Sequence, residues 1–343
     1  GYGDGNFQPQ GTLTRGAAAK IICNLILGPT TASALSADTA PFKDVPVTNT
    51  FAGYITYCSQ QGIINGYADG TFRPTGTLSG NAFMKMLLGA LGYDSSIEGY
   101  TGGNWSVSVI KQAAGIGLDD GNDEFVGSKA VTREEAALYA SNMLQATMVE
   151  YDAKTTVNVN GATVTVAGNK AQDKAWGTAT NNDGNIDDDG FVQFAEQYFD
   201  KLTLRSVVDS FGRPSNRWAN KGVEIGTYPK TAGASYTENV TLGTIYADLG
   251  MTDKDEKAEV YVDGVLASEL AKVSKGNDAK IADLKVAGTD KCSVGNGTLV
   301  EAYLDEDTND VTIACINTYV AEVNKVVAAS GNKDAYITLS DTT

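Results

Sequence analysis

The sequence predicts a multi-domain protein in which an all-α repeat region is followed by β-rich modules that carry a few short helices. Three observations support this fold class. The first 150 residues contain an internal repeat that combines a Gly-Asp-rich loop with amphipathic helices. After residue 152, the apolar pattern changes to alternation, which is typical of strands. The length of 343 residues also exceeds that of one average domain.

The composition excludes several classes of function. The chain has no histidine, so it can form no Ser-His-Asp triad, no Cys-His pair and no His-ligated metal site. Its net charge of −16 argues against binding to nucleic acid, and no apolar run is long enough for membrane insertion. The 42 Asp and Glu residues do not single out a catalytic carboxylate pair. We therefore predict a protein that is not an enzyme.

An internal repeat organises the first part of the chain. The segment GYGDGNFQP at residues 1–9 recurs as GYADGTFRP at residues 66–74, and a weaker copy begins at Asp119. In each copy a Thr or Ser precedes apolar residues spaced three and four apart, which predicts an amphipathic helix. Because the first copy lacks the leading helix of the others, we expect a segment upstream of it. The predicted units are repeat 1 (truncated, 1–35), repeat 2 (42–93) and repeat 3 (97–150), in a region that ends at residue 152.

These units resemble the S-layer homology (SLH) repeat. The resemblance covers about residues 1–150 and is carried by Phe42-x-Asp44-Val45, Gly62-Ile-Ile-x-Gly66-Tyr67-x-Asp69-Gly-Thr-Phe-x-Pro74 and Thr132-Arg133-x-Glu135. It implies that three helix-loop-helix repeats form a pseudo-threefold bundle. It also implies that grooves between repeats bind a pyruvylated secondary cell-wall polysaccharide and anchor the protein to the surface of a Gram-positive-type bacterium.

The Thr-Arg-x-Glu motif allows a structural role and a binding role at once. Thr132 and Glu135 fit a capping box, while Arg133 can lie beside the helix N-terminus and pair with the carboxylate of a pyruvyl ketal. Repeat 1 keeps Thr14 and Arg15, whereas repeat 2 has Ser79 and Gly80 at these positions. We therefore expect at most two working grooves and a degenerate one at repeat 2.

The Gly-Tyr-x-Asp-Gly loops have two interpretations. Asp-Gly and Asn-Gly are turn formers, so the loops can be purely structural. Alternatively, their aromatic rings and carboxylates line the sugar groove. On the second interpretation the polysaccharide-binding residues are Thr14, Arg15, Thr132, Arg133, Tyr2, Asp4, Tyr67 and Asp69. The residues that we expect in the core are Phe7, Phe72, Phe125, Cys23 and Cys58.

The second part of the chain is β-rich. Alternation around Asn160-Gly161 predicts a hairpin over 155–166, and two short helices are predicted at 191–202 and 241–249. We divide this part into modules at 153–255 and 256–343, the latter incomplete at its C-terminus. The further predicted strands are 222–228, 258–262, 297–304, 311–323 and 335–339.

One acidic segment fits the spacing of an EF-hand loop. Its oxygen ligands would be Asn185, Asp187, Asp189 and Glu196, with Gly190 at the sixth position. The alternative is an acidic surface loop that caps the following helix. Calcium is thus the only ion that the sequence suggests, and no cofactor is required.

The leading functional hypothesis is an extracellular structural protein of the cell wall or S-layer. Its SLH repeats would hold the cell-wall polysaccharide, and its β modules would self-associate in a surface lattice. The alternatives are an SLH-anchored adhesin or carbohydrate-binding surface protein, and a wall-anchored hydrolase whose catalytic domain lies outside this segment.

Overall fold

The computed structural model describes residues 5–151, 155–159, 162–166, 170–176, 185–238, 240–251, 258–267, 297–305, 308–318, 320–331 and 333–340. They form two compact units. The first comprises Gly1–Leu204 and Asn220–Gly222, and the second comprises Arg205–Ala219 and Val223–Thr343. No helix in the described ranges is both long enough and apolar enough to span a bilayer.

Five helices dominate the first unit. Three of them begin at a hydroxyl side chain that caps the helix, because Thr14, Ser79 and Thr132 each accept a hydrogen bond from the backbone N–H three residues later. The capping box predicted for Thr132 and Glu135 is confirmed. The helices are α1 (Arg15–Ser33, kinked at Gly28-Pro29), α2 (Ala52–Gln60), α3 (Gly80–Leu91), α4 (Trp105–Gly115) and α5 (Arg133–Gln145).

A closed ring of backbone hydrogen bonds joins the three capped segments. The N–H of Leu13 donates to the carbonyl of Val131, Val131 donates to Leu78, and Leu78 donates back to Leu13, all at 2.9–3.0 Å. Each segment thus contacts the other two just before its helix begins. This ring sets the starting points of α1, α3 and α5 around a common centre.

The core of the first unit draws one or more buried residues from each of these helices, among them Ile22, Ile55, Leu87, Val109 and Tyr139. The predicted burial of Cys23, Cys58 and Phe72 is confirmed, and Phe125 is partly buried. The prediction for Phe7 is wrong. Its side chain is 46% exposed and its ring contacts a guanidinium group at the surface.

The rest of the first unit is a small mixed region. Strands β1 (Val149–Tyr151) and β4 (Ala171–Asp173) pair antiparallel, as do β2 (Thr155–Val159) and β3 (Ala162–Val166), which confirms the predicted hairpin. The helix predicted at 191–202 is shorter in the structure and corresponds to α6 (Phe194–Tyr198). Its Phe194 side chain is fully buried against the helical core.

The second unit is built on a five-stranded sheet in the order β10-β9-β12-β11-β8, in which only β12 and β9 are parallel. Helix α7 (Leu242–Asp248) corresponds to the helix predicted at 241–249; it is capped by Thr241 and contributes Ile245 to the core. The sheet strands are β8 (Ala234–Tyr236), β9 (Ala258–Val262), β10 (Val265–Leu266), β11 (Thr298–Leu304) and β12 (Val311–Asn317).

The remaining strands form a three-stranded sheet, β5-β6-β7, and a hairpin, β13-β14. The sequence prediction does not include β5 and β6, whereas β7 and β14 correspond to the strands predicted at 222–228 and 335–339. The predicted strand at 311–323 is in fact β12 and the start of β13. The strands are β5 (Leu202–Val208), β6 (Pro214–Asn220), β7 (Val223–Pro229), β13 (Val323–Val327) and β14 (Tyr336–Leu339).

The division of the second part differs from the prediction. The boundary expected near residue 255 would separate β8 from β9, which belong to one sheet and share one core with α7. Residues 153–204, expected in the first β module, are grouped with the helical region. Alternation shows that strands are present, but it does not show which strands pair, so sequence could not place these boundaries.

Candidate functional site

The N-terminus of α1 opens onto a groove of about 420 Å³. Arg15 enters it from α1, the loop 63–67 forms one wall, and α3 with the segment 100–105 forms the other. We call this site Groove 1. Its lining residues are Arg15, Ile63, Ile64, Asn65, Gly66, Tyr67, Phe72, Thr77, Leu78, Ser79, Ala82, Lys85, Met86, Tyr100, Thr101, Gly102 and Trp105.

The guanidinium of Arg15 is held in a fixed orientation. Its Nε donates to the carbonyl of Phe72 at 2.8 Å, and its Nη2 donates to the carbonyl of Asn65 at 3.0 Å. The same group lies 4.4 Å from the ring centroid of Phe72 and 5.0 Å from that of Tyr67. Burial lowers the pKa of Arg15, yet an arginine stays cationic at neutral pH. These bonds use only part of its donor set, so an oriented cation faces the groove.

Lys85 supplies a second cation to Groove 1. Its Nζ donates to the carbonyl of Tyr100 at 2.7 Å and lies 5.7 Å from the Trp105 ring centroid. Burial, and then the positive charge of Arg15, lower the pKa of Lys85. Neither Asp nor Glu occurs among the described residues that line the groove. The two cations therefore create a positive field that carboxylates in the wall do not cancel.

Lys85, Tyr100 and Trp105 were not predicted from the sequence as groove residues. A signal for Lys85 was present, because it is the single charged residue in α3, where its neighbours are apolar. Tyr100 is 1% exposed and its hydroxyl has no hydrogen-bond partner among the described residues. A buried hydroxyl without a partner is costly, and this hydroxyl is not accessible from solvent.

The loop that carries Tyr67 is fixed by two carboxylates. Asp69 accepts from the N–H and hydroxyl of Thr71 at 2.9 and 2.6 Å and from Arg73 at 3.0 Å. These bonds, those of Thr71 first, lower the pKa of Asp69 to about 2. Asp44 accepts from the N–H groups of Phe72 and Arg73, each at 2.7 Å. The structure thus gives Asp69 the role of holding the turn, in line with the structural interpretation of the loop.

A related arrangement surrounds Arg133, and we call it Groove 3. The Nε of Arg133 donates to the carbonyl of Phe7 at 2.7 Å, and its guanidinium lies 4.8 Å from the Phe7 ring centroid. Arg133 and Arg15 therefore make the same pair of contacts to the Phe of a neighbouring loop. The predicted residues Tyr2 and Asp4 of this loop lie outside the described residues.

The corresponding position of repeat 2, which we call Groove 2, is filled. Gly80 donates its N–H to the carbonyl of Lys129, as Arg15 and Arg133 do to Gly76 and Gly11. A Cβ at residue 80 would lie 2.8 Å from Cε2 of Phe125. The aromatic ring therefore occupies the space into which a longer side chain would project, and no cation projects from residue 80.

This packing predicts that Gly80→Ala destabilises the first unit. The added methyl group must displace the Phe125 ring, and such overpacking costs about 1–3 kcal/mol. Gly115→Ala is the matched control, because an added Cβ there meets nothing within 4 Å. Chemical denaturation of the two variants measures the difference. Equal stability of Gly80→Ala and the parent would show that Phe125 does not fill this position.

A family model described as the S-layer homology domain matches residues 1–19 and 41–80, which include Thr14, Arg15, Tyr67 and Asp69. The chain contains an S-layer homology domain. It is a protein of the cell surface. Thr132 and Arg133 lie beyond the residues that this model matches.

Three relatives illustrate the likeness. The chain is 29% identical over 121 residues to a surface layer protein from Brevibacillus choshinensis (35% of this chain, 10% of the relative). It is 28% identical over 156 residues to a cellulosome-anchoring protein from Acetivibrio thermocellus (42% and 35%). It is 34% identical over 105 residues to an endoglucanase from Bacillus sp. (strain KSM-635) (29% and 11%). The matches thus span a tenth to about a third of each relative.

The acidic segment 185–196 lies outside the SLH-matched residues, and its Glu196 is already engaged. Its carboxylate accepts from the N–H of Ile186 at 2.9 Å and from that of Gln193 at 3.0 Å. Asp189 accepts from the N–H of Phe191 at 2.8 Å. Among the residues that the structure describes, no group of three or more acidic or thiol side chains is arranged to hold a metal ion. This geometry favours the alternative interpretation, in which Glu196 caps α6.

Calcium binding at Asn185, Asp187, Asp189 and Glu196 stays a prediction. Without an ion, Asp187 gives this segment a pH dependence of its own. Partial burial raises the pKa of Asp187 to about 6, and the charges of Asp189 and Glu196 act in the same direction. Because the folded pKa exceeds the unfolded value of about 3.9, the contribution of Asp187 to stability is present at low pH and lost as pH rises through 6. Asp187→Asn should therefore flatten the pH dependence of the melting temperature between about 4 and 6.

The calcium prediction itself requires that millimolar calcium raise the melting temperature at pH 7, where the carboxylates are charged. Asp189→Asn should lose this shift. It is a better probe than Glu196→Gln, which would disturb two backbone hydrogen bonds even without an ion. A parent protein that shows no calcium-dependent shift would leave the helix-capping role alone.

Proposed function

We propose that Groove 1 binds an anionic cell-wall polysaccharide and so anchors the protein to the cell wall. The observation that carries this proposal is the pair of cations, Arg15 and Lys85, in a groove whose described lining contains no carboxylate. The SLH match and the cellulosome-anchoring relative support attachment to a cell-wall polymer. The resemblance implies that the anion is the carboxylate of a pyruvyl ketal.

The chemistry of the groove suits such a ligand. The oriented guanidinium of Arg15 can form paired hydrogen bonds with a carboxylate, and Lys85 can add a point charge to the same group. The apolar faces of Tyr67 and Trp105 can pack against the C–H face of a pyranose. The carboxylate and the apolar face of an acidic sugar therefore each have a counterpart in the wall of Groove 1.

We propose Groove 3 as a second binding site of the same kind, and Groove 2 as a degenerate one. This arrangement corresponds to a pseudo-threefold bundle of SLH repeats in which one of three equivalent positions has lost its cation. The ring of bonds among Leu13, Leu78 and Val131, and the matched contacts of Arg15 and Arg133, support this proposal.

Cosedimentation of the whole chain with purified cell walls tests the anchoring function. The protein should pellet with walls that retain their secondary polysaccharide and stay in solution after the polysaccharide has been extracted. Neutral polysaccharide added as a competitor should release little protein, because it offers the cations no partner. Pelleting with extracted walls as strongly as with intact ones would contradict the proposal.

We further propose that the β-rich part forms or supports a surface array and has no catalytic role. The surface layer protein among the relatives supports this assignment. The endoglucanase relative keeps the alternative of a wall-anchored hydrolase open, and an adhesin with SLH anchoring is the other alternative. Electron microscopy of the cell surface distinguishes the array from both alternatives, since only an array-forming protein produces a periodic coat.

A further inference from the structure

Two cysteines from different helices meet in the core of the first unit. Cys23 lies on α1 and Cys58 on α2, both are fully buried, and their Sγ atoms are 3.5 Å apart. The contact is reciprocal. Cys23 Sγ lies 3.5 Å from the carbonyl oxygen of Tyr54, and Cys58 Sγ lies 3.6 Å from that of Ala19. Each thiol therefore packs against the helical turn that precedes the other cysteine.

We propose that Cys23 and Cys58 form a disulfide that joins α1 to α2 in the protein at the cell surface. A disulfide has an S–S distance of about 2.05 Å, so the two sulfur atoms must approach by about 1.5 Å. The sulfur atoms already touch, so this approach is short. The environment outside the cytoplasm permits disulfides to persist.

The oxidant is a low-molecular-weight disulfide such as oxidised glutathione. The thiolate of one cysteine attacks it, forms a mixed disulfide and releases one thiol; the second cysteine thiolate then displaces the other half as a second thiol. Two cysteine thiols are thus oxidised, and one external disulfide is reduced to two thiols. The hydrogen bond with Cys23, and then burial, raise the pKa of Cys58. The attack on the external disulfide therefore takes place before the core closes. The second displacement follows when folding brings the two cysteines together.

The link would join the two elements that flank Groove 1. Helix α1 begins at Arg15, and the loop that carries Tyr67 starts where the N–H of Ile63 donates to the carbonyl of Cys58 at 2.9 Å. The crosslink closes a chain segment between residues 35 positions apart, which restricts the unfolded state. We expect it to raise stability without altering the groove, so its test does not depend on any bound polysaccharide.

The test uses the whole chain in a background of Cys292→Ala and Cys315→Ala, so that Cys23 and Cys58 are the remaining cysteines. The protein is reduced, unfolded in guanidinium, and refolded either in a glutathione redox buffer or in dithiothreitol. The glutathione sample should have a mass about 2 Da lower and resist alkylation by iodoacetamide after denaturation. Its melting temperature should be about 5–10 °C higher than that of the dithiothreitol sample.

Cys23→Ser in the same background is the control, and its melting temperature should be the same in both buffers. If the background variant does not fold, peptide mapping of the parent chain after the same refolding detects the peptide that links residues 23 and 58. Full alkylation of both cysteines in the glutathione sample would overturn the proposal. A 23–58 link that lowers the melting temperature would also overturn it, because the native core would then not accommodate the bond.

Discussion

Arg15→Ala is expected to weaken binding of the cell-wall polysaccharide by about ten- to hundredfold. The substitution removes a charged hydrogen-bonding partner, and such contacts contribute about 1.5–3 kcal/mol. Two backbone carbonyls orient the guanidinium of Arg15 in the parent protein. Ligand binding therefore costs little side-chain conformational entropy at this residue. Isothermal titration with purified polysaccharide fragments measures the change. Arg133→Ala should weaken binding at Groove 3 for the same reason.

Lys20→Ala is the matched control for Arg15→Ala. It removes the same charge from the same helix, but Lys20 lies outside Groove 1 and contacts the Tyr54 ring at 5.6 Å. Its affinity should remain within about twofold of the parent, because exposed charges contribute little. Lys85→Ala should also weaken polysaccharide binding, as Arg15→Ala does. If Arg15→Ala and Arg133→Ala both bound like the parent, the assignment of the two grooves would be wrong.

Phe72→Ala is expected to have the largest effect on stability, about 3–5 kcal/mol. Phe72 is 1% exposed and stacks on Phe42 with ring centroids 5.3 Å apart. Its removal leaves a cavity beneath Groove 1 and deprives Arg15 of a ring that lies 4.4 Å from its guanidinium. Chemical denaturation should show the loss of stability, and polysaccharide affinity should fall with it.

Phe7→Ala is the control for this prediction, because Phe7 occupies the same position of repeat 1 but is 46% exposed. Its loss should cost less than about 1 kcal/mol, since nearly half of its surface already contacts water. The loss of stability on substitution by Ala should thus differ severalfold between two phenylalanines at equivalent repeat positions. Similar losses for both would mean that Phe7 is part of the core after all.

Local signals in the sequence predicted a large part of the first unit and one helix of the second. The capping residues Thr14, Ser79 and Thr132, the hairpin over 155–166 and helix α7 each depend on residues close together in the chain, and the structure shows them. The pattern also predicted the burial of Cys23 and Cys58. Their position face to face depends on how α1 packs against α2, and the sequence did not predict it.

The missed features depend on contacts between distant segments. Lys85 joins Groove 1 because α3 packs beside the segment that holds Tyr100 and Trp105. Phe7 and Phe72 occupy equivalent positions of their repeats, yet only Phe72 has Phe42 packed against it. In the second unit, the parallel pairing of β9 with β12 joins segments about 50 residues apart, which no short-range pattern encodes.

The most direct test of the proposed function compares two forms of one polymer. Affinity is measured for purified secondary cell-wall polysaccharide before and after chemical removal of its pyruvyl groups. The parent should bind the depyruvylated polymer at least about tenfold more weakly, because the guanidinium of Arg15 loses its anionic partner. Arg15→Ala should show a smaller difference between the two polymers. Equal affinity of the parent for both polymers would contradict the account and would leave recognition to neutral sugar contacts with Tyr67 and Trp105.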